Sequence, residues 1–243
     1  MQGGNSSRVV RDGDTVLRGT GSWSPFVHQL LRYLTSRGFD ASPVMIEHTG
    51  EQERLSYISG EAGNYPLQAY MRSDAIVVEA ARLLRRFHDL TQDFRVPDDA
   101  VFQLAPPTSG VNDVVCHNDF APYNLVFDGE HVVGLIDYDT AGPGSRLWDI
   151  AYAVYRFAPL ATDAHCSRCG WEAPPDRAAR LRLFCDAYGV ADRSQLIATV
   201  RARLAALVEH MTSTRSNVEH IPIYVDDLAY VERQRAAFEG ALL

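Results

Sequence analysis

The residues with the clearest chemical potential lie in two loops that each follow a short apolar segment. Asp119 and Asn124 come shortly after Val114-Val115-Cys116, and Asp137 lies thirteen residues beyond Asn124, after a second apolar segment. A hairpin turning at Asp128-Gly129-Glu130 would return Asp137 close to Asn124. Two carboxylates and one amide oxygen at a single point suit Mg²⁺, which prefers oxygen ligands and retains several waters.

This set of side chains indicates phosphoryl transfer. The transferring group carries spread negative charge, so metal ions and positioned donors provide most of the catalysis. A carboxylate that is not committed to the metal can orient the acceptor hydroxyl and take its proton, which typically contributes about 10²–10⁴-fold. The structural alternative is that these Asp and Asn side chains only cap turns.

The spacing His117-x-Asp119-x₄-Asn124 matches the protein-kinase catalytic loop, His-Arg-Asp-x₄-Asn. The surrounding sequence resembles the aminoglycoside phosphotransferase family of the protein-kinase-like superfamily. The resemblance lies in His-Asn-Asp-Phe-Ala-Pro-Tyr-Asn-Leu-Val and then Gly-Leu-Ile-Asp-Tyr-Asp. Leu83-Leu84-x-x-Phe87-His88 resembles the helix before that loop, and Trp148-Asp149-Ile150-Ala151 resembles the Asp-Leu-Ala after it.

The resemblance implies a fold and a catalytic centre. The fold would be α+β and bilobal, with a small, trimmed, β-rich nucleotide-binding lobe at 1–59 and a larger helical lobe at 60–243. Asp119 would orient and deprotonate the acceptor hydroxyl. Asn124 and Asp137 would hold Mg²⁺ against the phosphates of ATP or GTP.

Further roles follow from the same resemblance. His117 and Asp149 would brace the catalytic loop, and Tyr57 and Ile58 fall where the family's interlobe hinge offers backbone hydrogen bonds to the base. The acceptor would be a small hydroxylated molecule such as an aminoglycoside, although this scaffold also serves choline, homoserine, macrolide and sugar kinases. The candidate acceptor contacts are acidic side chains, some of which sit at a helix start where acids are also locally favourable: Asp139, Asp226, Asp227 and Glu232.

Two parts of the family pattern are missing. No separate glycine-rich strand–loop–strand precedes the first predicted hairpin, and Gly19-Thr20-Gly21 lies after it. All 23 basic residues are arginine, so the family's phosphate-binding lysine has no counterpart. Arg18 is the candidate replacement, with a solvated strand-end charge as the alternative, since Arg and Lys differ in reach and geometry. His28 lies where the lysine's glutamate partner is expected.

Hydrophobic patterning predicts the elements that would position these residues. Two hairpins, turning at Asp12-Gly13-Asp14 and Gly50-Glu51, flank a helix that begins at Ser24-Pro25 and ends near Gly38. A small β-rich lobe beside a helical lobe leaves a cleft where ligands commonly bind. Later helices are predicted around 148–157, 176–188, 194–214 and 225–240.

Composition limits the environment and the partners. The chain is 46% hydrophobic and 22% charged, as in ordinary globular proteins. Its net charge of −8 argues against a nucleic-acid partner and is compatible with a cationic acceptor. No apolar stretch approaches the roughly 20 residues of a membrane span. We therefore predict a cytoplasmic protein without a membrane partner, as a monomer or dimer.

Other features suggest different functions. The trimmed lobe and the missing lysine allow a degenerate kinase-like protein that binds nucleotide or regulates a partner without turnover. Cys166-x-x-Cys169, preceded by His165, could begin a zinc site or a redox pair, but a structural zinc site usually needs a second such pair. A Ser-His-Asp hydrolase is disfavoured because the sequence contains no Gly-x-Ser-x-Gly motif.

Overall fold

The computed structural model describes residues 9–106 and 112–243, so the first eight residues of the predicted N-terminal lobe lie outside the described part. The chain begins with an antiparallel sheet in the order β1-β2-β4-β3. Gly13 has a φ of +60° in the first turn, which the Asp-Gly pattern predicts. Both predicted hairpins are confirmed, with these strands: β1 (Val10–Asp12), β2 (Thr15–Gly19), β3 (Met45–His48) and β4 (Gln52–Ser56).

Helix α1 (Ser24–Ser36) connects the two hairpins, as the sequence predicts. Pro25 lies in its first turn, where a missing N–H leaves no hydrogen bond unmade. The face formed by Val27, Leu30 and Leu34 is fully buried, because helical spacing places these side chains on one side. This face fixes α1 against the core and thereby sets the position of His28 on the same helix.

Two smaller sheets carry the loops of the candidate site. Strand β6 (Val114–Cys116) pairs with β9 (Gly142–Gly144), and β5 (Glu61–Ala62) pairs with β7 (Leu125–Asp128), which pairs in turn with β8 (His131–Leu135). The β7–β8 hairpin pairs from Asp128–His131 back to Leu125–Leu135, with a shift of register between Val126 and Phe127. Its open end therefore holds the residues before β7 and after β8 side by side.

The second half of the chain is mainly helical. Helices α2 and α5 pack together, as do α3 and α6, and α6 and α7. Their apolar faces share one buried core with α1, in which the fully buried Phe87 and Phe184 lie. None of the helices in the described ranges is long and apolar enough to cross a membrane. The bounds are α2 (Asp74–Thr91), α3 (Arg146–Phe157), α4 (Asp163–Arg168), α5 (Arg177–Tyr188), α6 (Leu196–Thr214), α7 (Ile221–Arg233) and α8 (Arg235–Ala241).

One predicted helix is wrong in its bounds and in its continuity. The sequence predicts a single helix over 225–240, whereas α7 begins at Ile221 and ends at Arg233, and α8 follows it. Pro222 in the first turn of α7 explains the earlier start, because proline is favoured there. Gln234, with φ −93° and ψ 2°, lies between the two helices and departs from regular helical geometry.

Candidate active site

The loop that contains Asp119 is held by a buried carboxylate at the start of α3. Asp149 is fully buried and accepts hydrogen bonds from the backbone N–H groups of His117 at 2.7 Å and Asn118 at 2.9 Å. His88 Nε2 donates to the same carboxylate at 3.1 Å. Burial alone would raise the pKa of Asp149, but the interactions with His88 and His117 hold it below its ordinary value.

His117 ties this loop to the strand that precedes Asp137. Its side chain is buried, and its Nε2 donates to the carbonyl oxygen of Ile136 at 3.1 Å. Burial lowers the pKa of His117, so the ring is neutral near pH 7. The hydroxyl of Thr140 also donates to the His117 carbonyl at 2.9 Å. The two loops are therefore connected through side chains as well as through the hairpin.

Two side chains of its own loop hold the Asp119 carboxylate through hydrogen bonds. The Tyr123 hydroxyl donates to Asp119 Oδ1 at 2.5 Å, and Asn124 Nδ2 donates to Asp119 Oδ2 at 2.9 Å. Burial raises the pKa of Asp119 above its ordinary value, although the hydrogen bond from Tyr123 acts in the opposite direction. A carboxylate held in this way has a fixed orientation and an increased affinity for a proton.

Asp137 lies beside Asn124 because the β7–β8 hairpin closes there. The Ile136 N–H donates to the Asn124 carbonyl at 2.9 Å, and Asp137 turns its backbone into the left-handed region, with a φ of 63°. Its side chain is 39% exposed and lines the cleft next to Asp119. Both hydrogen bonds from the Asn124 amide nitrogen go to Asp119, which leaves the Asn124 Oδ1 oxygen for another ligand.

These oxygens fit a magnesium ion. Mg²⁺ is usually held by one or two carboxylates together with substrate phosphates and water, so a site of one carboxylate and one amide oxygen is sufficient. Over 9–106 and 112–243, no group of three or more His, Cys, Asp or Glu side chains could hold a metal ion. A zinc site with only protein ligands, as considered from the sequence, would need such a cluster, and these ranges contain none.

Arg18 enters the same site from strand β2. Its Nη2 lies 2.6 Å from Asp139 Oδ1, its Nη1 lies 3.5 Å from Asp137 Oδ1, and its Nε donates to Glu53. The Arg18 side chain is only 10% exposed. We call Arg18, Glu53, Asp137 and Asp139 the Arg18 cluster. The alternative of a solvated strand-end charge is wrong, because the guanidinium points into the cleft among three carboxylates.

Glu53 is a residue that the sequence analysis missed. It pairs with Arg18 across β2 and β4, is 1% exposed, and also accepts a hydrogen bond from His28 Nε2. Burial alone would raise the pKa of Glu53, but the hydrogen bonds from His28 and Arg18 hold it below its ordinary value. The glutamate expected on α1 therefore has a counterpart on strand β4, and His28 contacts it. Strand alternation could have identified it, because Glu53 and the buried Leu55 share one face.

The predicted acidic acceptor contacts do not meet at one end of the cleft. Asp139 belongs to the Arg18 cluster instead, and Asp226 and Glu232 lie outside the cleft lining. The prediction for Asp227 is wrong because its carboxylate is fully buried, where it accepts hydrogen bonds from the Tyr155 hydroxyl and the Thr162 N–H. It also accepts one from His165 Nδ1 at 2.5 Å.

The predicted hinge lies at the end of β4. Tyr57 and Ile58 both line the cleft, but the Tyr57 N–H donates to the Asp14 carbonyl at 2.8 Å, so this donor is already used. The predicted lobe boundary at 59 and 60 falls in the connection between β4 and β5. A hydrogen bond from the Tyr57 N–H to a nucleotide base is therefore incompatible with this geometry.

The cleft continues from the Arg18 cluster towards α6 and α7, with a volume of about 1550 Å³. Beyond Asp119 its wall is aromatic rather than acidic. We call this part the tyrosine pocket, because Arg156 and four tyrosines line it: Tyr65, Tyr123, Tyr152 and Tyr224. The sequence analysis missed it, although Tyr152 and Arg156 stand four residues apart on one helix and therefore on one face.

The cysteine pair lies near this pocket. Cys166 is buried, and Arg177 Nη2 donates to its sulfur at 3.4 Å. Burial raises the pKa of the Cys166 thiol, which keeps it protonated. Cys169 is partly exposed and lines the cleft, and both thiols are free. An interpretation as ordinary thiols is consistent with this arrangement.

Comparison with known proteins places this geometry in a family. Residues 98–196 match the model of the phosphotransferase enzyme family. The trifolitoxin immunity protein of Rhizobium leguminosarum bv. trifolii is 32% identical over 204 residues, which cover 80% of this chain and 75% of that protein.

Solved structures share the fold at low sequence identity. A choline/ethanolamine kinase family protein from Mesorhizobium loti matches 99% of this chain and 89% of its own, with a TM-score of 0.62 and 15% identity. An aminoglycoside phosphotransferase from Streptomyces rimosus, in complex with ADP and streptomycin, matches 83% of this chain and 92% of its own, with a TM-score of 0.54 and 16% identity. The α+β, kinase-like bilobal fold predicted from the sequence is confirmed.

Proposed function

Because this chain belongs to the phosphotransferase enzyme family, we propose that it transfers the γ-phosphate of ATP or GTP to a hydroxyl of a small acceptor. The observation that supports this most strongly is the meeting of Asp119, Asn124, Asp137 and Arg18 in one cleft. The cleft is large enough for a nucleotide and a second molecule. The N-terminal lobe, 1–59, would provide the nucleotide side.

Asp119 is the proposed catalytic base. The hydrogen bonds from Tyr123 and Asn124 fix its carboxylate, so an acceptor hydroxyl within about 2.6–3.2 Å would be oriented before it gives up its proton. Holding reactants in an attack geometry is itself a large contribution to phosphoryl transfer. His117 and Asp149 would act as positioning residues, since they bind the loop and not the reactants.

Asn124 Oδ1 and Asp137 would hold Mg²⁺, which when bound neutralises charge on the phosphate oxygens. Arg18 would bind the same phosphates through its Nη groups, which now face Asp137 and Asp139. Glu53 fixes the Arg18 Nε and so presents the fork of the guanidinium to the cleft. The nucleotide base would contact apolar side chains that line this end of the cleft, namely Val16, Leu55, Ile58 and Ile136.

The raised pKa of Asp119 predicts the pH dependence of turnover. A base must be deprotonated, so kcat/KM falls as the pH drops through its pKa. Burial raises the pKa of Asp119 above the value of about 3.9 that is usual for Asp. The acid limb of the pH profile, where kcat/KM falls, therefore lies at a higher pH than for an ordinary Asp. The hydrogen bond from Tyr123 lowers the pKa of Asp119, so Tyr123→Phe should move the acid limb to higher pH. A pH series of kcat/KM measures this, and a limb that moves to lower pH would contradict the assignment.

The relative named for immunity to trifolitoxin supports a protective role for this chain. In such a role, phosphorylation of a toxic molecule would abolish its action. The second candidate function is nucleotide binding without turnover, which the trimmed N-terminal lobe and the carboxylate-engaged Arg18 favour. The two functions differ in a single observable, the consumption of nucleotide.

A nucleotide-consumption screen separates these functions. Purified protein is incubated with Mg-ATP or Mg-GTP and a panel of hydroxylated acceptors, and release of the nucleoside diphosphate is measured. We expect acceptor-dependent release that disappears in Asp119→Asn. Nucleotide binding by calorimetry without release for any acceptor would instead favour the binding protein.

A further inference from the structure

Arg156 is a partly buried cation, and no carboxylate of the described residues pairs with it. It projects from α3 between four tyrosine rings, and its guanidinium carbon lies 5.1 Å from the Tyr65 centroid and 5.2 Å from the Tyr123 centroid. The Tyr155 and Tyr152 centroids are 5.4 and 6.0 Å away. Its Nη2 donates to the Tyr65 hydroxyl at 2.8 Å, whereas its Nε is buried and has no hydrogen-bond partner among the described residues.

The more deeply buried arginines of the described chain are compensated differently. Arg177 and Arg180 have carboxylate partners, Asp163 and Asp74, at 2.6 and 2.7 Å. Arg203 donates to the Asn118 carbonyl and does not line the cleft. Arg156 lines the cleft, and in the described ranges no carboxylate lies within ion-pair distance of it. It therefore combines partial burial, a permanent charge and access to a ligand.

A buried charge without a partner is unfavourable unless a ligand or other groups compensate it. Arginine cannot lose its proton in a protein, so this charge persists at any working pH. Cation–π contacts with the tyrosine rings compensate only part of it. Donors on a guanidinium are well suited to an oxyanion such as a carboxylate, which binds them in a bidentate manner.

The position of Arg156 relates it to the proposed reaction. The Tyr123 ring faces Arg156, while the Tyr123 hydroxyl donates to Asp119. The Tyr123 hydroxyl lies 2.9 Å from the Tyr152 hydroxyl, which in turn lies 3.4 Å from the Tyr224 hydroxyl. One tyrosine thus separates the cation from the proposed base. A small molecule in the tyrosine pocket would reach both.

The charges that line the cleft agree with an anionic ligand at this end. Its carboxylates among the described residues are Glu61, Asp119, Asp137 and Asp139, and the last two belong to the Arg18 cluster. Glu61 accepts a hydrogen bond from the Tyr70 hydroxyl at 2.9 Å. The tyrosine pocket adds no carboxylate of its own, whereas a polycationic acceptor would require several.

We propose that the acceptor carries a carboxylate or comparable oxyanion, which binds Arg156 while the acceptor hydroxyl faces Asp119. This inference rests on the phosphotransferase function proposed above. In the transfer, the acceptor oxygen forms a bond to the γ-phosphorus and its proton passes to Asp119. The bond from that phosphorus to the β–γ bridging oxygen breaks, and its electron pair leaves with the nucleoside diphosphate. Arg156 has no part in the bond changes and selects the acceptor.

The test compares acceptors that differ only in charge. Hydroxylated carboxylates, such as glycerate and 4-hydroxyphenylacetate, are offered with Mg-ATP or Mg-GTP beside their carboxamides and the corresponding amino alcohols. We expect phosphorylation in the carboxylate class. In Arg156→Gln, kcat/KM for a carboxylate should fall by about 10–100-fold, because a hydrogen bond to a charged group is lost. The value for the matching carboxamide should fall much less, because it loses no charged hydrogen bond, and the nucleotide affinity should not change.

Control variants separate recognition from folding. Arg156→Lys keeps the charge but loses the planar fork, so its effect on carboxylates should be intermediate. Arg201→Gln removes a partly exposed arginine that pairs with Glu232 outside the cleft, and it should behave as wild type. Circular dichroism and Tm establish that each variant is folded. An equal loss for charged and neutral acceptors in Arg156→Gln would overturn the inference.

Calorimetry gives a second readout that does not need turnover. With Mg-ADP present, glycerate and 4-hydroxyphenylacetate are titrated against their amides, and we expect tighter binding of the carboxylates that is lost in Arg156→Gln. Turnover only of neutral or cationic acceptors would overturn this inference and leave the phosphotransferase intact. Selective carboxylate binding without nucleotide consumption would overturn the proposed function and leave the anion site intact. No preference for carboxylates in either assay overturns the inference.

Discussion

Replacing Asp119 by Asn is expected to lower kcat by at least about 10²-fold, because general-base assistance is lost. The amide has nearly the same shape and can still accept the hydrogen bond from Tyr123. It cannot take a proton from an acceptor hydroxyl. The measurement is the steady-state release of nucleoside diphosphate with the best acceptor found in the screen.

The same substitution makes a separate prediction for stability. A carboxyl whose pKa is raised on folding destabilises the native state at pH values above that pKa, because burial disfavours its charged form. Asp119→Asn removes this unfavourable charge, so its Tm at pH 7 should be equal to or higher than that of wild type. Affinity for Mg-nucleotide should be nearly unchanged. A large loss of nucleotide binding would mean that Asp119 holds the nucleotide and is not the base.

Replacing Arg18 by Met is expected to have the largest effect on nucleotide affinity and also a large effect on stability. Loss of hydrogen bonds to charged phosphate oxygens should weaken binding by about 10–100-fold, from about 1.5–3 kcal/mol. The change also leaves Glu53 buried with only His28 as a partner. Breaking a buried ion pair on one side typically costs about 3–5 kcal/mol.

A double variant separates the two effects of Arg18. Glu53→Gln removes the charge that Arg18→Met leaves behind, so the double variant should regain much of the lost Tm. Its nucleotide affinity should remain low, because the phosphate contacts depend on the guanidinium. Denaturation midpoints and calorimetric titration with Mg-ATP measure the two quantities. Recovery of affinity in the double variant would show that Arg18 acts only as a structural partner of Glu53.

The catalytic loop was predictable because its information is local. Asp119 and Asn124 are only five residues apart, so their spacing is visible in a short stretch of sequence. The Asp128-Gly129 turn between two apolar segments predicts the hairpin that brings Asp137 back to them. The structure places these three residues together. Their roles in catalysis and metal binding stay predictions, which the variants above address.

The partner of Arg18 was less accessible from the sequence. The expected glutamate was sought on α1, where His28 lies, but the carboxylate comes from Glu53 on the neighbouring strand. Strand pairing over a separation of thirty-five residues creates this contact. The alternation of Glu53 with the buried Leu55 was a usable signal, since it places both side chains on the inner face.

The prediction of Asp227 as an acceptor contact was wrong because helix packing decides its burial. Acidic residues near the start of α7 suggested a cationic ligand, yet Asp227 is buried by Tyr155 and His165. Tertiary contacts between α3, α4 and α7 set this burial, which helical periodicity alone does not specify. The residues that reach the cleft from α3 are Tyr152 and Arg156.

The measurement that tests the central claim most directly is the magnesium dependence of ATP binding. Calorimetric titrations with and without Mg²⁺ are performed on wild type, Asp137→Asn and Asp119→Asn. If Asn124 and Asp137 hold the metal against the phosphates, Mg²⁺ strengthens ATP binding in wild type and Asp119→Asn, and this gain is lost in Asp137→Asn. Equal ATP affinities with and without Mg²⁺ in wild type, or an undiminished gain in Asp137→Asn, would contradict the account.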